Sequence, residues 1–298
     1  MVKSKRPTLR AVPPKLAKPA KPKVMVFGAP GVGKTWAALD FPSVYYIDVE
    51  GGAKQPEYIE KLEGSGAGYF GPEHGSTVFE EVNDQLLALM TQRHGYKTVV
   101  IDSISELFNG RVFDEAESLE RQNKANEFGT DKKLALKPMR RFVRLVERID
   151  LNVILIAHEK AKWGEVNGKK EQIGFTFDCW DTLGHNIDLV LRVWKAGAGR
   201  YAKPNKSRIA AFPEDEKFTW SFSEFAERWG ADAITRESEI VELVSEETLG
   251  EIQRLIQTLN YPADEQAKLL KRCKADSFDE ISEEQGGKIV ALLKSTVA

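Results

Sequence analysis

Residues 28–35 read GAPGVGKT and separate a short apolar run from a stretch with helical character. They match the pattern G-x-x-x-x-G-K-[ST] in the order strand, turn, helix that a phosphate-binding loop requires. Glycines let backbone N–H groups turn toward phosphate oxygens, Lys34 can reach the β- and γ-phosphates, and the Thr35 hydroxyl can ligate Mg²⁺. The sequence therefore predicts a site for ATP and Mg²⁺. The residues expected to contact the nucleotide here are Gly28, Ala29, Pro30, Gly31, Val32, Gly33, Lys34, Thr35 and Trp36.

Short apolar runs alternate with helical stretches along residues 23–235. Strands are predicted over residues 24–27, 44–47, 98–101, 153–157 and 187–193. Amphipathic helices are predicted over residues 78–93 and 138–150, because apolar side chains recur there at helical spacing. This alternation is typical of an α/β fold with a mainly parallel central sheet flanked by helices.

The two ends of the chain differ from this core in composition. Residues 1–23 carry eight Lys or Arg and no acid, and prolines interrupt them, so residues 1–22 are predicted to be a disordered basic arm. Strand signals stop near Gly230, and residues 236–298 are predicted to form a small, acidic helical module. The net charge of −2 therefore averages over segments of opposite sign.

Several classes of protein are excluded by composition. Two distant cysteines cannot build a disulfide framework or a zinc site, and the four histidines are scattered. No run of 18 apolar residues and no secretory signal is present, so a cytoplasmic protein without a membrane partner is expected. Residues 64–75, which are rich in glycine, have no predicted role: they could be a mobile lid or a long loop.

Acidic and basic groups follow three of the predicted strands. Asp102 ends the run TVVID and is the candidate second ligand of Mg²⁺, although an aspartate there could instead cap a helix. Ser103, not a glutamate, follows it, so Glu50 after the strand YYID is the predicted catalytic base and Glu106 the reserve. His158 ends another strand, where it could sense the γ-phosphate or satisfy a loop carbonyl.

The order of GAPGVGKT, IDVEGG, VVIDS and ILIAH resembles the RecA-like core over about residues 23–225. It is most similar to the short RecA-like ATPases of bacteriophages that accompany or replace annealing recombinases. The resemblance implies a catalytic role for Glu50 and adenine stacking by Tyr58. In the segment KSRIAAF it implies that Lys206 and Arg208 reach the γ-phosphate held by a neighbouring protomer. ATP sites would then lie at the subunit interfaces of a homo-oligomer.

Cations and aromatic rings alternate after His158, around an Asn167-Gly168 dipeptide that is typical of a hairpin turn. Lysines can neutralise phosphates and rings can stack on bases, which suits sequence-tolerant binding of single-stranded DNA. For Phe175, Phe177 and Trp180, packing in the core is an equal alternative. Arg140 and Arg144 share a helix face that could follow DNA or simply be solvated. The other predicted DNA contacts are Lys160, Lys162, Trp163, Lys169 and Lys170.

These features together predict a DNA-stimulated ATPase that binds single-stranded DNA and promotes annealing or strand exchange, in the host cytoplasm if a phage encodes it. Two alternatives remain. A hexameric helicase or translocase would share the nucleotide site and the cations supplied by a neighbour. An ATP-dependent adaptor would instead present the C-terminal module to a single-strand-binding or annealing protein.

Overall fold

A computed structural model describes residues 19–124, 126 and 129–297, so most of the predicted basic arm lies outside the described residues. The described strands form one mixed, mainly parallel sheet with the order β3-β2-β4-β5-β1-β7-β8-β9, and β6 pairs with β5. The strands are β1 (Lys23–Gly28), β2 (Val44–Asp48), β3 (Gly68–Phe70), β4 (Thr98–Asp102), β5 (Asn152–Val166), β6 (Lys169–Asp178), β7 (Leu189–Ala196), β8 (Gly199–Ser207) and β9 (Phe218–Thr219).

Helices cover both faces of this sheet. Phe142 of the predicted amphipathic helix is fully buried and packs edge to face on Phe79, with ring centroids 5.9 Å apart. The helices are α1 (Lys34–Ala38), α2 (Pro56–Ser65), α3 (Phe79–Thr91), α4 (Ile104–Arg121), α5 (Thr130–Arg148), α6 (Leu183–Asn186), α7 (Phe222–Trp229), α8 (Ala231–Thr235), α9 (Glu246–Thr258), α10 (Ala263–Cys273) and α11 (Glu283–Val297).

The parallel register places the predicted site residues at one edge of the sheet. In register, Gly28 of β1 lies beside His158 of β5, and Asp48 of β2 lies beside Asp102 of β4. Strand β5 separates β1 from β4, so a side chain after β1 must reach across β5 to meet one on β4. Carboxyl ends of parallel strands are where open α/β sheets bind ligands, and this edge is therefore the candidate site.

The predicted fold class, a mainly parallel sheet flanked by helices with further helices at the C-terminus, is confirmed. Its details differ in two places. β5 continues past His158 and pairs antiparallel with β6 as far as Val166, and the turn between them has positive φ at Asn167 and Gly168, 51° and 75°. α5 begins at Thr130, eight residues before the predicted start, and includes Pro138. The segment 64–75, which had no assignment, contains the edge strand β3.

The C-terminal helices have an apolar core of their own, formed by residues such as Ile252, Leu269 and Leu293. Ion pairs join them to the sheet domain: Arg141 of α5 lies 2.9 Å from Glu280, and Arg144 of α5 pairs with Asp276. Among the described residues, none of the helices is both long enough and apolar enough to cross a bilayer.

The last residues of the predicted arm, 19–22, pack against the sheet domain. The Lys21 ammonium group donates to the Arg236 carbonyl at 2.7 Å, and the Pro22 carbonyl accepts from the Val153 amide at 2.8 Å. Lys21 is buried. The prediction that the arm extends to residue 22 therefore places its end too late, because residues 21 and 22 have partners in the core.

Candidate nucleotide-binding site

The loop after β1 runs unusually close to β7. A Cβ atom placed on Gly28 would lie 2.1 Å from the Val193 carbonyl oxygen, which no side chain tolerates. Gly33 has a φ of 90°, in the left-handed region that favours glycine. The Val32 side chain is buried in the core, so of this residue only the backbone could serve a ligand. These constraints give the loop the shape that lets backbone N–H groups face a phosphate.

Lys34 lies across the mouth of this loop. Its Nζ atom donates to the Gly28 carbonyl at 2.8 Å and to the Ala29 carbonyl at 3.0 Å. Partial burial lowers the pKa of Lys34, and the nearby Asp102 and Glu50 carboxylates oppose that shift. The ammonium group thus rests on two neutral carbonyl partners that a phosphate oxygen can replace, because hydrogen bonds to an anion are stronger.

Thr35 and Asp102, the two predicted Mg²⁺ ligands, meet across the intervening strand. The Thr35 hydroxyl donates to Asp102 Oδ2 at 2.5 Å, and the Tyr46 hydroxyl donates to the same oxygen at 3.2 Å. Burial raises the pKa of Asp102 to about 6, while the hydrogen bond from Thr35 opposes the shift. Ser103 accepts from the Glu106 amide and caps α4, so Asp102 is not the helix cap. A buried carboxylate beside a hydroxyl supplies the hard oxygen donors that Mg²⁺ prefers, and the two side chains fit this ion.

Glu50 and His158 form a contact that was not predicted. His158 Nε2 lies 2.7 Å from Glu50 Oε1 and 3.3 Å from the Ser103 hydroxyl, and both side chains remain about two-fifths exposed. They line, together with Lys34, Thr35 and Asp102, a cavity of about 520 Å³ beside the loop. Glu106, the reserve base, does not line this cavity but a smaller neighbouring one that it shares with Glu50.

Tyr58 and Trp36 lie together at the side of the loop. Their rings meet edge to face with centroids 5.6 Å apart, and the Lys61 ammonium lies 4.1 Å from the Trp36 ring centroid. Tyr58 lines the same cavity as Lys34, whereas 43% of the Trp36 surface is exposed. The structure therefore places Tyr58 within reach of a bound nucleotide, and its contact with adenine remains a prediction.

Lys206 and Arg208 lie away from this chain's own cavity. The Lys206 ammonium donates to the Gly184 and Ile187 carbonyls, and Arg208 donates to the His185 carbonyl at 2.5 Å. Both cations thus bind backbone around α6 within their own chain. The predicted action on a neighbour's ATP is not tested by one protomer and remains a prediction.

The hairpin formed by β5 and β6 carries the predicted DNA contacts. Trp163 is 57% exposed, and Lys162, Lys169 and Lys170 are exposed as well. The Lys160 ammonium group lies 3.4 Å from Asp178 and 3.3 Å from Asp181, so it is already paired with two carboxylates of its own chain.

The three aromatic residues with two interpretations differ from one another. Phe177 is buried in the core and Trp180 packs against it, so for these two the core alternative holds. Phe175 is 36% exposed, and its ring centroid lies 3.9 Å from the Cζ atom of the Arg192 guanidinium.

On α5, Arg140 is exposed but Arg144 pairs with Asp276 of the C-terminal helices. The predicted basic face of α5 is therefore partly covered by intramolecular ion pairs. Its role in DNA binding stays a prediction that requires the Arg144 pair to open.

Two residues of the site were missed by the sequence reasoning. Asp48 is buried and accepts from the Gly52 and Ala53 amides at 3.1 and 3.0 Å, which holds the loop that carries Glu50. A partial signal was present, since an aspartate before a glycine-containing turn often accepts hydrogen bonds from nearby backbone amides. Tyr46, whose hydroxyl reaches Asp102, gave no local signal because the two residues lie on different strands.

Comparisons with known proteins assign the chain to a family. A search of curated proteins found no match. Among the solved structures that match is a crystal structure of the RadB recombinase, with 21% identity, a TM-score of 0.39, and coverage of 65% of this chain and 84% of that chain. A family model described as an AAA domain matches residues 20–212, which include the phosphate loop, Glu50, Asp102 and His158. Since that match spans more than half of the sequence, this chain belongs to the AAA domain family.

Proposed function

We propose that this chain is a RecA-like ATPase that binds single-stranded DNA and promotes annealing or strand exchange as a homo-oligomer. The observation that carries the ATPase part is the single cavity lined by Lys34, Thr35, Glu50, Asp102 and His158. These side chains supply a cation for the phosphates, oxygen donors for Mg²⁺, a carboxylate to orient water and an imidazole beside that carboxylate.

Each group in the cavity has a distinct task in this proposal. Lys34 exchanges its two loop carbonyls for oxygens of the β- and γ-phosphates. Thr35 and Asp102 hold Mg²⁺, which when bound neutralises charge on the phosphates. Glu50 orients a water molecule for attack on the γ-phosphate, and His158 holds the Glu50 carboxylate at 2.7 Å.

The DNA part of the proposal is supported by the connection between His158 and the hairpin. β5 runs from His158, the partner of Glu50, to Trp163, five residues further on, with a shift in its pairing register between Lys162 and Trp163. Single-stranded DNA that neutralises the exposed lysines and stacks on Trp163 would shift β5. This shift would alter the contact between Glu50 and His158. ATP turnover should therefore depend on DNA.

The test is ATP turnover with and without single-stranded DNA across a series of salt concentrations. We expect stimulation at low salt that declines as salt rises, because phosphate contacts release counterions. Measurable turnover that DNA never stimulates would instead favour the adaptor alternative. Directional unwinding in a strand-displacement assay would favour a helicase.

Trp163→Ala should weaken binding of single-stranded DNA by about tenfold, because stacking of one base is worth roughly 1–3 kcal/mol. The measurement is fluorescence anisotropy of a labelled oligonucleotide. Phe113→Ala is a matched control, since Phe113 is 63% exposed but lies on α4, outside the hairpin. Equal affinities for the Trp163 variant and the wild type would remove this residue from the DNA path, and turnover without DNA should not change.

Mixing two inactive variants tests the shared sites. Arg208→Ala protomers keep an intact phosphate loop, and Lys34→Ala protomers keep an intact Arg208. A mixture therefore contains interfaces at which an intact Lys34 of one protomer faces an intact Arg208 of its neighbour. We expect part of the wild-type turnover to return when the two are combined, although neither is active alone. The absence of rescue at every mixing ratio would contradict a role in trans. Thermal unfolding of Arg208→Ala controls for the lost contact with the His185 carbonyl.

A further inference from the structure

Arg200 of β8 lies against the phosphate loop, although no motif points to it. A Cβ atom placed on Gly33 would lie 2.5 Å from Arg200 Nε and 2.6 Å from its Cδ. The side chain thus covers the loop at the residue directly before Lys34. It is exposed and projects from the antiparallel pair formed by β7 and β8, whose predicted nucleotide contact, Lys206, was assigned to a neighbour's ATP.

The backbone around Arg200 is tied to the same loop. Trp220 donates its backbone N–H to the Arg200 carbonyl at 2.9 Å and its indole Nε1–H to the Gly33 carbonyl at 3.3 Å. Trp220 is buried, so one fixed residue bridges the strand that carries Arg200 and the loop that Arg200 covers. This framework fixes the Arg200 backbone beside Gly33, and the arginine side chain extends from it over the loop.

The guanidinium of Arg200 has no acidic partner in the described part of the chain, whereas Arg192 on the neighbouring strand pairs with Glu159 at 2.7 Å. Its charge also reaches Tyr58: burial and Asp102 raise the pKa of the Tyr58 hydroxyl, and Arg200 opposes them. Arg200 therefore lies against the loop at Gly33, and its charge acts on the tyrosine that lines the cavity.

This place corresponds to one part of a bound nucleotide. Lys34, Glu50 and His158 mark the γ-phosphate end of the cavity, because they supply the reacting groups. In the proposed site the loop amides would cradle the α- and β-phosphates. Tyr58, which lines the cavity, would then contact the nucleoside. The unpaired guanidinium at the loop has N–H donors that phosphate oxygens can accept, and its planar fork of donors suits the geometry of a phosphate.

We propose that Arg200 binds the α-phosphate of the nucleotide held by its own protomer. This inference rests on the proposed ATP site and adds a cation in cis that is distinct from Lys206 and Arg208. An α-phosphate is common to ATP and ADP and does not change in charge during hydrolysis. Arg200 therefore contributes to nucleotide binding and not to the chemical step.

Arg200→Ala should raise the dissociation constants of ATP and ADP by a similar factor, about tenfold or more, because hydrogen bonds to charged groups are at the strong end of the range. Turnover at saturating ATP should stay near the wild-type value while KM rises. Arg200→Lys should recover part of the affinity. The measurements are isothermal titration with Mg-ADP and with Mg and a non-hydrolysable ATP analogue, and steady-state phosphate release.

The control is Arg93→Ala, which removes the same exposed side chain between α3 and β4, at the opposite edge of the sheet. Unchanged ADP affinity in Arg200→Ala, with wild-type protein that binds ADP, overturns the proposal. Weakened ATP binding with unchanged ADP binding also overturns it, because the contact would then be to the γ-phosphate. Failure of the wild type to bind either nucleotide would instead refute the ATP site itself. Equal thermal unfolding of all variants shows that the changes are not losses of fold.

Discussion

Lys34→Ala is expected to lower ATP turnover by about 10²- to 10³-fold or more, the effect of removing a cation that faces charge developing on the transferred phosphoryl group. The Lys34 ammonium is confined to the mouth of the loop by the Gly28 and Ala29 carbonyls, 2.8 and 3.0 Å away. No other lysine lines the cavity among the described residues. Within the described ranges, no second lysine is therefore in place to take over its contacts with the β- and γ-phosphates.

Release of phosphate at saturating Mg-ATP measures this loss. Lys271→Ala provides the control, because this exposed lysine lies on α10 among the C-terminal helices. Far-ultraviolet circular dichroism and thermal unfolding should show that Lys34→Ala keeps the fold, since its ammonium contacts only loop carbonyls. Wild-type turnover in the Lys34 variant would remove the argument for a phosphate-binding loop.

Glu50→Gln is expected to retain ATP binding while lowering hydrolysis by about 10²-fold or more, the usual scale for loss of a general base. A glutamine has nearly the same shape and can keep a hydrogen bond to His158, so the loop after β2 should remain in place. The buried Asp48, which accepts from the Gly52 and Ala53 amides, supports that loop independently. The change therefore removes the negative charge and little else.

Glu106→Gln is the matched control for this experiment. Glu106 is a nearby carboxylate at the start of α4, but it lines a different cavity from the one that holds Lys34. Single-turnover hydrolysis and binding of a non-hydrolysable ATP analogue separate the chemical step from affinity. If Glu106→Gln slows hydrolysis and Glu50→Gln does not, the assignment of the base is wrong.

Elements with strong local signals were predicted well. The five predicted strands are present, and they carry Gly28, Asp48, Asp102 and His158 to one edge of the sheet, although β5 continues past His158. The Asn167-Gly168 turn is present too, because both residues tolerate positive φ. In contrast, β3 and β9 are only three and two residues long, too short to give a periodic pattern.

Charged side chains were harder to assign than strands. Arg144 gave the same signal as any solvated or DNA-facing arginine, yet it pairs with Asp276, which is 132 positions away. Arg200 gave no signal, since its neighbourhood is created by Trp220, which bonds both to its strand and to the phosphate loop. The role of a charged side chain depends on the residue it contacts, and the spacing of residues in the sequence does not predict a contact with a distant residue.

The sequence by itself determined the fold class, the phosphate loop and the acid at the end of β4, because these depend on the order and periodicity of neighbouring residues. Only the tertiary structure decided that Glu50 contacts His158, that Thr35 reaches Asp102 across an intervening strand, and that Arg200 covers Gly33. Those contacts join residues 108, 67 and 167 positions apart. They arise from sheet order and register, which are set by packing over the whole chain and not by any local pattern.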